Sequence, residues 1–488
     1  MKKAIARGLF RALADRRPGS ATPAAGLHIV VPRWDAKLGD SIVSSFFFRE
    51  ARKLNARVTV LTVPELAPLH AQDFGVDRVI VTQANPGLLE LCKIAGQLGQ
   101  VDAVVHLVGR IQPAEIVFLR LLRPSRVYSF DDELRCVNRK FGAATQGLSY
   151  AQCLERVLLD LGASAVECQY MVPLPEHFQP SAAPQILINP YGSRPDKSLS
   201  PAQSLALLRA IADACPDKAL GILCSPATRT DAAQLAAAVA RDNVQALEDL
   251  ATPRDAAGYL QRAQVVISVD TAIVHMAVGL GTRLIAIYPA MGAEHNPWLP
   301  PPAPSTLVVY SQQDVAQYRR TGRKDMNRFA VQEVVDGLHR LLADALDPGG
   351  PQLVLQARIV SGLGVATGTL ARQLPLLSRD FPEVGNCHPA TINLELQRPL
   401  VISAPDHRSA PLAWTPSGRT TEVFDLLRIE LQLDRRPQRF PAWLYIAHGS
   451  PHRQTPTIHE VIAPRLDLSG VSSCRVHLRA SAVAALES

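Results

Sequence analysis

Residues Gln264 to Pro289 read QVVISVDTAIVHMAVGLGTRLIAIYP, and this stretch decides the fold. A β-branched run ends in Ser268-Val269-Asp270-Thr271, a helical pattern with His275 follows, and Gly281-Thr282 precedes a second apolar run, Arg283 to Tyr288. The order is strand, polar helix start, helix, turn and parallel strand, one βαβ unit. Free N–H groups and the helix dipole at such a start favour a phosphate-bearing ligand. Asp270 and Thr271 stand where that ligand would meet the helix, although either could simply cap it.

Outward from this unit the same pattern repeats. Gln185–Asn189, Ala219–Cys224, Val244–Leu247, Gln264–Val269, Leu284–Tyr288 and Thr306–Tyr310 read as strands, with helices such as Pro201–Ala214 and Thr230–Ala240 between them. An earlier series runs Leu27–Pro32, Arg57–Val63, Arg78–Val81, Asp102–Leu107 and Arg126–Phe130, with helices at Ser41–Leu54 and Pro86–Leu98. Two α/β doubly wound, Rossmann-like domains are expected, over 27–183 and 184–346, and ligands collect at the carboxyl edges of such sheets. Asp347-Pro348-Gly349-Gly350-Pro351 reads as a linker (347–351). Beyond it, 352–488 loses helical periodicity and carries short alternating runs (Thr391–Leu396, Leu427–Leu433, Trp443–Ile446), the pattern of a C-terminal β-barrel-like domain.

Composition narrows the function. The chain has 488 residues, 47% hydrophobic and 19% charged, which is globular with ample core. Eight cysteines form no CxxC pair and no zinc-spaced cluster, so they read as reduced and structural, and the protein as cytoplasmic. No apolar run reaches the roughly 20 residues that span a bilayer. Residues 1–26 form a basic leader: Ile5, Leu9, Phe10 and Leu13 can share one helical face beside Lys2, Lys3, Arg7, Arg11, Arg16 and Arg17. Such a helix can lie on an anionic membrane surface or stay solvated, and the former would place the protein peripherally on an inner membrane. The net charge of +7 suits anionic partners. With no zinc-finger or single-strand-binding motif, nucleic acid is not among the expected partners.

Two further polar stations join Asp270. Pro32-Arg33-Trp34-Asp35-Ala36-Lys37-Leu38-Gly39-Asp40-Ser41 follows the first strand. A carboxylate there, Asp40, can accept a hydroxyl proton as a general base, or cap the helix. The loop lacks GxGxxG, so no dinucleotide cofactor is expected. Asn189-Pro190-Tyr191-Gly192-Ser193-Arg194-Pro195-Asp196-Lys197-Ser198 opens the second domain. Lys197 can neutralise a diphosphate and Ser193 can hydrogen-bond it, whereas a solvated loop explains both equally well. His275 fits either a ligand contact or an ordinary helix histidine.

Taken in order, the three stations resemble the family-9 glycosyltransferases, the heptosyltransferases of lipopolysaccharide core assembly. Leu38-Gly39-Asp40 matches that family's Leu-Gly-Asp turn, Asn189-Pro190 with Lys197 its Asn-Pro-Gly-like loop, and Asp270-Thr271-Ala272 with His275 its Asp-Ser/Thr-Gly-x-x-His signature. The resemblance covers about residues 27 to 345. It implies a GT-B architecture and inverting, metal-independent sugar transfer with no cofactor. The donor would be a nucleotide-sugar, an ADP-sugar by preference, and the acceptor a glycolipid or polysaccharide. Asp40 would be the catalytic base, with Ser193, Lys197, Asp270, Thr271 and His275 binding the donor. Two departures stand out: Ala272 replaces the usual Gly, and the loop Ala290–Pro300 differs, where Glu294 or His295 would touch the donor.

The C-terminal region resembles CTP-dependent riboflavin kinases more distantly. Gly362-Leu363-Gly364-Val365-Ala366, then His388-Pro389-Ala390-Thr391-Ile392-Asn393, then Glu460-Val461-Ile462-Ala463-Pro464 follow that family's order. By this resemblance Thr391 and Asn393 are nucleotide candidates, and Mg would be needed only if the domain is an active kinase. Two alternatives to the transferase follow. One is a catalytically lapsed GT-B scaffold that binds a nucleotide or glycan; the other is a bifunctional protein with a C-terminal small-molecule kinase domain.

Overall fold

The structure, a computed structural model, describes residues 2–18, 26–178, 180–291, 296–303, 305–346, 352–361, 366–403, 405–414, 421–434, 436, 439–448 and 455–484. The expected linker 347–351 and Gly362–Val365 therefore lie outside the described residues. Contacts group the chain into two units: Met1–Thr282 with Pro289–Pro300 and Ser311–Arg328, and Arg283–Tyr288 with Pro301–Tyr310 and Phe329–Ser488.

In the first unit, α1 (Lys2–Ala14) precedes β1 (His28–Arg33), α2 (Leu38–Lys53), β2 (Arg57–Thr62), β3 (Arg78–Val81), α3 (Leu88–Leu98), β4 (Ala103–Val105), α4 (Pro113–Leu122), β5 (Arg126–Ser129), β6 (Arg139–Lys140) and α5 (Tyr150–Leu161). The strands form one parallel sheet in the order β3-β2-β1-β4-β5-β6. Every residue of β1 is buried, as a central strand covered on both faces requires. Strand order reverses between β1 and β4, the crevice where doubly wound sheets take ligands, and β1 leads directly into the Arg33–Asp40 loop.

The described part of the basic leader, residues 2–18, is held against the first lobe. Helix α1 packs on α4, with Ala14 in the same apolar cluster as Leu119 and Leu122. Arg7 pairs with buried Asp131 at 2.6 Å and with Glu133 at 2.8 Å. Asp15 accepts the backbone N–H groups of Arg135 and Cys136. Of the apolar face expected on α1, Leu9 and Leu13 point to solvent and Phe10 is half-buried.

The second lobe repeats the scheme with β7 (Ile186–Asn189), α6 (Pro201–Ala214), β8 (Leu220–Ile222), α7 (Arg229–Val239), β9 (Val244–Ala246), α8 (Pro253–Arg262), β10 (Val265–Val269) and α9 (Ala272–Leu280). Its parallel order β9-β8-β7-β10 mirrors that of the first sheet, so Asn189 and Asp270 end the two strands at its own switch point. Next come β11 (Arg283–Pro289), β12 (Thr306–Ser311), α10 (Val315–Thr321) and α11 (Val331–Leu346). The boundary between the contact units runs through this lobe, since β11, β12 and α11 fall largely or wholly in the second unit.

The rest of the second unit is β13 (Gln352–Val360), α12 (Ala366–Asp380), β14 (Ile392–Leu396), β15 (His407–Arg408), β16 (Leu412–Ala413), β17 (Thr421–Leu433), β18 (Arg439–His448), β19 (Ile458–Ile462) and β20 (Ser473–Arg479). Antiparallel pairing runs β17-β18-β19-β14-β13-β20, and β20 returns to β17. The ring is closed, so the expected barrel is present, filled by Leu394, Leu427, Leu431, Leu444, Val461 and Val476 among others. Arg340 on α11 pairs with Glu383, and Tyr310 donates to Asn386 at 2.6 Å, tying α11 and β12 to the turn after α12.

Candidate functional site

Asp40 sits in the third residue of α2, so it is not the helix cap. The cap position is Lys37, whose side chain makes no capping bond. Gly39, one residue earlier, packs against the first turn of α9. A Cβ added to it would lie 3.1 Å from the His275 ring and 3.4 Å from Ala272 Cα. Glycine at 39 is what lets the two helix starts meet, and that contact brings the first station to the third.

The Asp40 carboxylate is mostly buried between two cations. Lys37 Nζ is 3.6 Å away and Arg33 Nη2 3.9 Å. Burial pushes Asp40 above the ordinary aspartate range, while Arg33 and Lys37 pull the other way. The result is a carboxylate with a strengthened affinity for protons, which suits a base. Arg33 is itself buried. It donates to Tyr150 Oη at 3.4 Å, and its Nε and Nη2 find no hydrogen-bond partner among the described residues. Burial holds the Tyr150 phenol up at about 12, so it stays neutral. Trp298 stacks on its ring at 4.5 Å, fixing the tyrosine against Arg33.

The second and third stations also converge. Asp270, at the end of β10, accepts from Lys324 Nζ at 2.6 Å and pairs with Lys197 Nζ at 3.7 Å. Burial works to raise the Asp270 carboxyl, but Lys324 and Lys197 outweigh it and hold the group below its usual value. Lys197 is shifted down by burial, against the pull of Asp270, and Asp40 is close enough to count among the charges it senses. Asp196 takes the Lys324 backbone N–H at 3.1 Å, which fixes the loop carrying the second lysine. One carboxylate thus faces two ammonium groups, leaving a surplus positive charge beside the first turn of α9. An anion fits there.

Thr271 is the cap of α9: its hydroxyl accepts the Ile273 N–H at 3.3 Å and the Asn189 side-chain N–H at 3.0 Å. Asn189 also donates to Ser268 Oγ, so it stitches the ends of β7 and β10 together. His275 is buried, its proton affinity lowered by burial to about 4, so the ring is neutral, and its Nδ1 finds no partner among the described residues.

Not every expected residue joins the cluster. Ser193 is exposed and makes no side-chain hydrogen bond to a described residue, whereas Ser198 accepts the Gly192 N–H at 2.9 Å. Glu294 and His295 lie outside the described residues. In the barrel, Thr391 is half-buried just before β14, and Asn393 is buried opposite Glu460 in the register of β14 with β19. His388 N–H donates to Ala463 O, so two of the three quoted C-terminal segments are neighbours. Among the described residues no group of three or more His, Cys, Asp or Glu side chains is placed to hold a metal ion.

Sequence reasoning missed Lys324, Arg33 and Tyr150. A signal for Lys324 existed: Arg319-Arg320-Thr321-Gly322-Arg323-Lys324 is a dense run of cations following a strand at a sheet's carboxyl edge. Arg33 was in view but not separable from ordinary loop charge.

Residues 117–326 match the family model described as "Glycosyltransferase family 9 (heptosyltransferase)". That span is similar to the family-9 glycosyltransferases. Lys197, Asp270, Thr271, His275 and Lys324 lie within the matched span and Asp40 lies before it. The family-9 glycosyl transferase from Veillonella parvula DSM 2008 superposes with a TM-score of 0.52 at 16% identity, over 67% of this chain and 100% of that one. At that identity the likeness is one of fold, and it bears out the GT-B reading. Two E. coli structures align less well. Heptosyltransferase WaaC with ADP gives 0.48 at 16% identity (64% of this chain, 100% of that), and ADP-heptose lps heptosyltransferase II gives 0.49 at 17% (66% and 100%). A comparison with curated proteins returns no match. The family match ends at 326, before the barrel, and no comparison bears on the riboflavin-kinase resemblance.

Proposed function

We propose that the chain transfers a heptose or related sugar from an ADP-sugar to a hydroxyl of a glycolipid or polysaccharide, with inversion and without a metal ion. The observation that carries the proposal is the contact of Gly39 with Ala272 and His275, which brings the first turn of α2, with Asp40, to the first turn of α9 beside the Lys197–Asp270–Lys324 cluster. Asp40 takes the acceptor's hydroxyl proton as the oxygen attacks the anomeric carbon. The bond from that carbon to the diphosphate breaks on the opposite face, and the diphosphate leaves with the electron pair. Lys197, Lys324 and the α9 N–H groups offset the charge where it develops, the task a metal ion performs in other transferases. Asp270 holds the lysines in place, and neutral His275 packs under Gly39 to keep the helix starts together. Among the described residues no helix is long and apolar enough to cross a membrane. Work at the cytoplasmic face of a membrane would bring the enzyme to a lipid-linked acceptor.

A donor screen tests the proposal. ADP-, GDP- and UDP-sugars are titrated by calorimetry, and the anomeric configuration of any product is read by NMR. Binding of an ADP-sugar with an inverted product supports it, and turnover should survive a chelator. Tight binding with no turnover for every donor would favour the lapsed scaffold.

A further inference from the structure

The face built from α1 and the carboxyl end of α4 takes no part in the chemistry above. Leu9 and Leu13, one turn apart on α1, are 58% and 66% exposed, and Leu121 on α4 is 49% exposed. They stand clear because Arg7, Phe10 and Ala14 occupy the side of α1 turned to the protein. Between the ends of the two helices lies a concavity of about 120 Å³ walled by Arg16, Arg17, Leu119, Arg120, Arg123 and Pro124. All four arginines are exposed, and no described carboxylate pairs with any of them. The nearby acids are already engaged: Asp131 and Glu133 by Arg7, and Asp15 by backbone N–H groups.

Four unneutralised arginines around a hollow of phosphate size call for anionic groups. A soluble polyanion would satisfy the charge, but it gives no return for three leucines held in water beside it. A bilayer of anionic phospholipid satisfies both. We propose that this face docks on such a surface, the arginines gathering lipid phosphates while Leu9, Leu13 and Leu121 enter the boundary between headgroups and acyl chains. The proposal is independent of the sugar chemistry, since a chain unable to transfer sugar would still bind lipid by this face.

Co-sedimentation of the full chain with vesicles tests it. The expected result is binding to phosphatidylglycerol–phosphatidylethanolamine vesicles, little to phosphatidylcholine, and loss at high salt. Each arginine near the surface contributes roughly a fivefold factor, so Arg120→Gln with Arg123→Gln should lower the partition about 25-fold. Leu9→Ser with Leu13→Ser should also lower it while preserving the salt dependence. Because these side chains are exposed, thermal unfolding of both variants should match that of the parent, which separates lost docking from lost folding. Equal binding to both vesicle types, an unchanged partition in both variants, or capture on heparin without vesicle binding would overturn the proposal.

Discussion

Lys324 Nζ lies 2.6 Å from the Asp270 carboxylate, 54 residues away in sequence, and Lys197 approaches the same oxygen from a third segment. Asp270 is outnumbered, and in the proposed reaction the spare charge receives the diphosphate. Lys324→Met should therefore weaken nucleotide-sugar binding about 10- to 100-fold, the range for a lost hydrogen bond to a charged group. Calorimetry checks this; an unchanged Kd would put the diphosphate elsewhere.

Arg33 lowers the proton affinity of Asp40 while burial raises it. A general base works when ionised, so activity is present above its pKa and falls as pH drops through it. Removing the positive charge raises that pKa. In Arg33→Gln the acid limb of kcat/KM should move to higher pH, with most activity retained above the limb. A pH–rate profile with an unmoved limb would separate Arg33 from the base.

Gly39→Ala sets two effects against each other. Helix propensity favours alanine by about 1 kcal/mol. The new methyl would meet the buried His275 ring at 3.1 Å, and overpacking of that kind costs about 1–3 kcal/mol. The clash should win, lowering stability by about 1 kcal/mol in denaturant titration and slowing transfer. A more stable, fully active variant would mean the helix starts tolerate separation.

In the barrel, Tyr445 donates to Gln373 at 2.9 Å within the buried core. Tyr445→Phe should cost about 1–2 kcal/mol in unfolding of the C-terminal unit, because the Gln373 carbonyl loses its donor. Nucleotide-sugar affinity should not change. A loss of that affinity would tie the barrel to the donor site.

The alternating lobes were legible because fully buried parallel strands such as Ile186–Asn189 and Val265–Val269 are nearly continuous apolar runs between helical periods. Barrel strands were only partly so. Residues 427–433 showed, but β17 begins at Thr421, since its first half pairs with β15 and β16 and lacks a strict alternation. Strand β6 has two residues and left no pattern to find. Asp40, Lys197 and Asp270 were legible because switch-point strand ends concentrate polar groups. Lys324 reaches the site from a loop more than 50 residues beyond Asp270, and only the folded chain reveals that approach. Ser193 shows the converse: the right residue type in the right loop, turned to solvent.

Asp40→Asn tests the central claim most directly, because it keeps the shape of the side chain and removes its ability to take a proton. Sugar transfer should fall by about 10²- to 10⁴-fold, with nucleotide-sugar affinity by calorimetry nearly unchanged. Transfer at the parental rate, or loss of donor binding in proportion to loss of turnover, would contradict the assignment of Asp40 as the base facing a diphosphate held by Lys197 and Lys324.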